Sequence, residues 1–375
     1  MRTTIVLKFF SSEVSGILRS FQRRAWRTHA LEYLLGIVLL VRFRSVAEMA
    51  RRVGEEHPDG LHHFLHDSPW NEGLVRWAIY ERVFEVLRNT KQPVQLILDD
   101  TPVERSGKHI EGVGVHHSAK GLIKGHCAVT ARVRSGGFEL GWAVRGYQPK
   151  RGCPRGEFKS KVTLAMEIMF SAQVLGREVT LLIDSWYACK AILNRATAYG
   201  WRYVAAIKSN RVVTVNKRKT NVRHLAKGRR RYMRVKLSKR RTVLAAKRLV
   251  VLAGIGEVAL FITKVNGKTK FLISNDVRMG TEEAVRQYAV RFGIETFHRD
   301  IKQHLGFGEL WGRSWLGVQR HWTLCLLAYN TLQLWNASLP SHQRAATFGE
   351  IARSFRRCVS ERSAVRWCAS FRKAA

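Results

Sequence analysis

Residues 179–208, VTLLIDSWYACKAILNRATAYGWRYVAAIK, decide the fold. The apolar and β-branched run Val179–Ile183 ends on a carboxylate, Asp184, and reads as a buried strand. Apolar residues then recur at helical spacing through Ala188–Ala198, and WRYVAAIK (201–208) returns as a second strand. Upstream the period is that of strands: VQLILDD (94–100), a Gly-punctuated stretch through HIEGVGVHH (109–117), then HCAVTARVR (126–134) and FELGWAVRG (138–146) around the turn Ser135-Gly136-Gly137. Three antiparallel strands are expected there, followed by a helix from about Ser160 to Leu175.

The resulting order, β-β-β-α-β-α-β, is that of a ribonuclease-H-like core: a mixed sheet with helices on its faces, in which the first and fourth strands lie side by side. Five segments are expected. Residues 1–90 form a helical, DNA-binding region, 91–208 the first part of the core and 209–276 a basic β-rich insertion. Residues 277–336 form the last part of the core and 337–375 a basic tail. Ser45 is expected to cap a short helix that Gly54–Gly60 breaks, with another starting at Leu61. The likeness of that pair to a helix-turn-helix is loose, and plain helical packing gives the same pattern.

The formal charge is +37, from 65 Lys and Arg against 28 Asp and Glu. Solubility needs far less, and nucleic acid is the polyanion that such a balance suits. From Ser185 to Gly256 there are 20 Lys and Arg and no Asp or Glu. Mixed charge would solvate a surface equally well, so this segment is expected to face a polyanion, with Arg229, Arg230, Arg231, Lys239, Arg240 and Arg241 as its contacts. The longest apolar runs, Leu31–Val41 and Leu249–Ile262, are too short or too interrupted to span a bilayer. No membrane partner and a cytoplasmic location are expected. The six cysteines show no CxxC pair, so reduced thiols are expected, and the histidine pairs His62-His63 and His116-His117 make poor metal sites because strand neighbours face opposite ways.

Two strands end in acids, Asp99-Asp100 and Asp184, where a negative charge at the edge of a buried sheet needs a cation. A third acid, Glu295, lies in QYAVRFGIETFHRDIKQH (287–304). The spacing predicts one helix from an N-cap at Thr281 to about His304, with Gly306 ending it. On it Tyr288, Arg291, Glu295 and Lys302 share a stripe about 60° wide. Three converging carboxylates suit Mg²⁺, with Mn²⁺ as substitute, and two such ions clamp the attacking and leaving oxygens of a phosphoryl transfer. A second apolar helix, Val318–Trp335, is expected to press this one against the sheet.

Taken together, LILDDT (96–101), LLIDSWYACKAIL (181–193) with YVAAIKSN (203–210), and YAVRFGIETFHRDIK (288–302) resemble the DDE transposases of bacterial insertion sequences that carry a Y-R-E-K signature. LHHFLHDSPW (61–70) and SGKHIEGVGVHHS (106–118) extend the resemblance, which runs from about Ser45 to Trp335. It implies an enzyme that nicks the ends of its element by hydrolysis and joins the freed 3′ hydroxyl to target DNA, working as a homodimer on double-stranded terminal repeats. It implies Asp100, Asp184 and Glu295 as catalytic metal ligands. Strand alternation sends Asp99 and Asp100 to opposite faces, so either could be the ligand; the resemblance favours Asp100, which precedes Thr101 as in similar proteins, with Asp99 in reserve. Tyr288, Arg291 and Lys302 are implied to grip phosphates near the cleaved end. One departure stands out: similar proteins stack a flipped base on a tryptophan of the insertion, yet no Trp lies between Trp201 and Trp311, leaving Tyr232, Phe261 or Phe271 as substitutes. A nuclease of the same fold that never joins strands, and an inactive DNA-binding relative, are the competing readings.

Overall fold

A computed structural model describes residues 3–374, apart from 42–44, 56–57, 108, 119–120, 177, 228–230 and 311. The chain begins with five helices: α1 Thr3–Leu18, α2 Arg24–Leu39, α3 Val46–Arg52, α4 Asp59–His66 and α5 Glu72–Arg88. Ser45 caps α3 by accepting from the Glu48 amide at 3.1 Å, and Asn71 caps α5 by accepting from Gly73 at 2.8 Å. The α2 helix is buried on nearly every side, and α3 crosses it where Gly36 leaves room for Met49. A Cβ at that glycine would stand 2.7 Å from Met49.

The first half of the sheet follows as β1 Val94–Glu104, β2 Gly114–Ser118, β3 Gly121–Ser135, β4 Phe138–Tyr147, helix α6 Lys161–Ser171, β5 Val179–Ile183, helix α7 Lys190–Ala198 and β6 Arg202–Ile207. The chain forms a short extra strand, β2, in the Gly-punctuated stretch, and it pairs with the start of β3. β3 runs antiparallel to both β1 and β4, while β5 runs parallel to β1 and to β6. The spatial order β4-β3-β1-β5-β6, with β1 and β5 adjacent, is the ribonuclease-H-like mixed sheet. The interior strand β5 is wholly enclosed: all five of its residues are buried.

A basic β-rich stretch continues the same sheet. It comprises β7 Val212–Val215, β8 Arg218–Asn221, the single turn α8 Val222–Leu225, β9 Met233–Ser238, β10 Arg241–Leu252, β11 Gly256–Val265 and β12 Lys268–Ser274. β12 pairs antiparallel with β6, so the twelve strands form one sheet. Asn266 and Gly267 turn β11 into β12 with φ of 48° and 74°, the left-handed pair that a two-residue hairpin of this hand requires.

The remaining helices are α9 Thr281–Val290, α10 Gly293–Leu305, α11 Trp315–Ser338, α12 Phe348–Cys358 and α13 Glu361–Ala374. The single helix expected over 281–304 is thus two, broken at Arg291-Phe292, and Gly280 rather than Thr281 is its N-cap. The cause is packing from below. Arg132 of β3, 3% exposed, lies so close that a Cβ on Gly293 would stand 1.8 Å from its Nη1. Only glycine lets the guanidinium in, and the chain turns over it. Gly306 ends α10 in the left-handed conformation, φ 66°, as expected from its place in the sequence. The largely buried α11 packs on β4 and α10 and fixes α10 over the sheet.

Candidate active site

β1, the end of β5 and the α9–α10 break bring together Asp99, Asp184, Tyr288, Arg291 and Glu295. Arg291 is buried, and its fork joins two acids: Nη1 donates to Asp99 Oδ2 at 3.0 Å and Nη2 to Glu295 Oε1 at 2.6 Å. Burial, and next the charge of Asp184, push the Asp99 carboxyl up to about 7, against the pull of Arg291. Asp184 Oδ1 accepts from the backbone amides of Trp186 at 2.9 Å and Tyr187 at 3.1 Å, which fixes the carboxylate just past the end of β5. It therefore holds this turn while its charge bears on Asp99. Glu295 is exposed and reaches in from the first turn of α10.

Asp100 is elsewhere. Strand alternation points it away from Arg291, into a cluster in which Oδ2 pairs with Lys161 Nζ at 2.6 Å and accepts from the Cys127 thiol at 3.2 Å. Its Oδ1 accepts from the Tyr187 hydroxyl at 3.2 Å. Burial, then the nearby Asp100, push that thiol up to about 12. Sequence reasoning missed this cluster. Tyr187 had a signal, its place three residues after Asp184, whereas nothing near Lys161 marked it.

The signature residues divide in the same way. Tyr288 is buried on α9, with the Arg291 guanidinium 5.7 Å from its ring centre. Lys302, two turns further along α10, donates to the Pro102 carbonyl at 2.7 Å, and burial lowers its affinity for a proton. Thr130, opposite Asp99 in the β1–β3 register, bonds His298 of α10 at 2.6 Å. His298 is pushed down to about 3 by burial and then by the charge of Lys302. This neutral pair latches α10 to the strand that carries Asp99.

Arg229 and Arg230 lie outside the described residues. Arg231, Lys239, Arg240 and Arg241 are exposed, Lys239 and Arg240 forming the turn between β9 and β10. Arg241 reaches back over Phe292, 5.0 Å from its centre, and Lys270 lies 5.6 Å from the same ring. Phe292 borders a cavity of about 240 Å³ with Tyr288, Leu237, Val243, Val265 and Leu272. Of the three aromatics suggested for base stacking, Phe261 and Phe271 belong to the core, and Tyr232 is half-buried under Lys264. Phe292, which follows Arg291 directly, has that guanidinium 5.4 Å from its ring centre.

Among the described residues, a tighter grouping of potential metal ligands occurs away from this site, at His29, Glu32 and Glu55. Arg372 already occupies it, 2.6 Å from Glu32 and 3.3 Å from Glu55, so a guanidinium supplies the positive charge. At the Asp99 site Arg291 alone bridges the carboxylates. Three hard oxygen donors of which one is strongly desolvated fit magnesium by donor chemistry.

An acid within β1, a second just past the end of the adjacent parallel strand β5, a third on a late helix and an arginine among them thus stand together on a ribonuclease-H-like sheet. The chain belongs to the DDE superfamily endonucleases, whose family pattern matches residues 17–253. It is also similar to a protein described as a probable transposase for insertion sequence element IS701 from Microchaete diplosiphon, 26% identical over 193 residues. That match spans 50% of each chain. Neither Glu295 nor α10 falls within the family match. No described helix is long and apolar enough to cross a membrane.

Proposed function

We propose that the protein is a DNA transposase that cuts the ends of an insertion sequence and transfers the freed strand to target DNA. The observation that carries this reading is Arg291 bridging Asp99 and Glu295 while the charge of Asp184 bears on the same Asp99 carboxyl. Asp99, Asp184 and Glu295 would hold the metal; Asp100, salt-bridged to Lys161 on the other side of the strand, would brace β1. Bound there, two Mg²⁺ ions would supply the charge compensation that an in-line phosphoryl transfer needs at its attacking and leaving oxygens.

The chain's own residues do the rest. The planar fork of Arg291 is free to exchange one carboxylate for a phosphate oxygen with the same two-point geometry. Tyr288 and Phe292 border an apolar cavity that takes the flat face of a base beside the reacting strand. Arg231, Lys239, Arg240 and Arg241 carry the duplex through nonspecific phosphate contacts. A homodimer on paired element ends is the assembly that joining two ends calls for.

The test is cleavage of duplex DNA bearing the inverted repeats that border the coding region, with Mg²⁺ or Mn²⁺, comparing the parent with Asp184→Ala and Glu295→Ala. Both variants should bind DNA and lose nicking, and unchanged nicking would sink the assignment. Joining to a target duplex separates a transposase from a nuclease of the same fold, which would cut under either metal and never join.

A further inference from the structure

We infer that Trp186 and the cleft behind it form a second base-binding subsite, for an unstacked nucleobase of DNA on the side of Asp184 away from Tyr288 and Phe292. The inference rests on the proposed DNA chemistry and names where a strand goes after it crosses the acids. Trp186 is 48% exposed, although it lies two residues from Asp184 and its amide donates to that carboxylate at 2.9 Å. An open indole face beside a candidate metal ligand is placed where the reacting strand would pass, and a nucleobase can stack on it.

The surroundings say which. A cleft of about 540 Å³ opens beside the indole, lined by Ser185, Cys189, Lys208, Asn210 and Arg211 among others. Every one of its lining residues, from Ser185 to Ala253, falls within the stretch Ser185–Gly256 that contains no acid. The floor sits at the carboxyl ends of the parallel strands β5 and β6, the edge at which open α/β sheets receive ligands. Tyr187 packs edge-on to the indole at 4.7 Å and Lys161 approaches it at 5.7 Å, so the ring is held firmly while half of it stays open. An aromatic platform with Lys208 and Arg211 at its border and no carboxylate in its walls matches a base together with its phosphates.

The base could come from DNA flanking the cut end or from the target duplex, and cross-linking tells them apart. Duplexes of the bordering inverted repeat carry 5-iododeoxyuridine singly at positions on either side of the cut, and a separate target duplex carries it likewise. After irradiation with Ca²⁺ present, the cross-linked peptide is identified by mass spectrometry. A Trp186 cross-link from flanking positions assigns the cleft to donor DNA, and one from the target duplex assigns it to target DNA. Trp186→Phe should keep the cross-link, whereas Trp186→Ala should lose it and weaken binding of a single-stranded oligonucleotide roughly tenfold, the effect of one base stack. Cross-links that form only at other residues, or an Ala variant with parental cross-linking and affinity, overturn the inference. Parental nicking with Mg²⁺, measured in parallel, keeps the two readings apart: nicking without a Trp186 cross-link overturns the subsite alone, and a Trp186 cross-link without nicking overturns the proposed reaction alone.

Discussion

Arg291 donates to Asp99 across 3.0 Å, although the two lie 192 positions apart in sequence. The neighbouring Asp100 makes its own ion pair with Lys161 at 2.6 Å, on the opposite side of β1. Two adjacent acids thus have separate cations, and their substitutions should separate as well. Asp99→Asn is expected to weaken Mn²⁺ binding, followed by electron paramagnetic resonance, at least about tenfold, and to abolish nicking. Asp100→Asn should leave Mn²⁺ binding near the parental level and cost about 2–3 kcal/mol of stability, because Lys161 is left without its carboxylate in a largely buried position. The reverse pattern would transfer the metal to Asp100.

Because Arg291 contacts both Asp99 and Glu295, its removal should, on the proposed function, affect end processing more than the general hold on DNA. Arg291→Ala should reduce end nicking by roughly 100-fold, the scale of one preorganised charge at a reaction centre. Binding of unrelated duplex should fall less than about threefold, since many exposed cations share that task. Equal losses in both assays would make the stripe only a DNA-facing surface. Arg291→Lys should recover little, as a point charge does not reproduce a fork that spans two carboxylates.

Much of this was legible in the sequence, and the gaps have physical causes. Strand period and Gly-rich turns placed β1, β3, β4, β5 and β6, and acids following apolar runs marked the candidate site because burial of an unpaired charge is costly, although β1 runs past Asp99-Asp100 to Glu104. The break between α9 and α10 was hidden because it comes from Arg132, 161 positions before Gly293, and periodicity reports only local spacing. Gly293 was visible as an unfavourable helix residue, but what it admits was not. The side on which each of Asp99 and Asp100 meets a partner depends on α10 packing on β1 and α6 supplying Lys161 to the other acid, which no local pattern encodes. Phe292 was passed over because it lies between two signature residues that drew the reading to themselves.

The break itself is testable. Alanine is a better helix former than glycine by about 1 kcal/mol, so Gly293→Ala would stabilise an ordinary helix. Here its methyl group meets the Arg132 guanidinium, which is buried and bonded to Glu139, so it has no room to move aside. A net loss of roughly 1–3 kcal/mol is expected in urea unfolding, together with reduced nicking as Glu295 shifts. A variant more stable than the parent would refute this account of the kink.

Acid should unfold the protein partly through His126, which is fully buried and bonded to the Glu111 carbonyl at 2.7 Å. Burial, then the neighbouring Arg105 and His116, bring it down to about 4 from an ordinary 6.5. Between those values the unfolded chain holds a proton that the folded chain does not, so this contribution is complete above pH 6.5 and is lost as pH falls towards 4. His298 acts in the same direction and Asp99, raised to about 7, in the opposite one. The comparison with His126→Gln isolates the histidine. From pH 6.5 to 4.5 the parent should lose roughly 2 kcal/mol more than the variant. Parallel pH profiles would show that His126 titrates normally in the folded state.

Far from the acids, Arg372 of the last helix holds Glu32, which is 1% exposed in the middle of α2. The same guanidinium donates to the Gly54 carbonyl at 2.9 Å and to Val53 at 3.0 Å, so one side chain joins α13, α2 and the end of α3. Removing it strands a carboxylate that no solvent reaches, with His29 at 3.2 Å as its remaining partner. Arg372→Ala should therefore cost about 3–5 kcal/mol, and proteolysis should clip the C-terminal helix faster. Glu32→Gln in the same chain should recover much of that loss, because an amide is far less costly to bury unpaired than a charge. Metal titration offers a second check. If His29, Glu32 and Glu55 form a metal site rather than an arginine seat, Mn²⁺ should stabilise the Asp99→Asn protein; no shift in its melting temperature is the expected result.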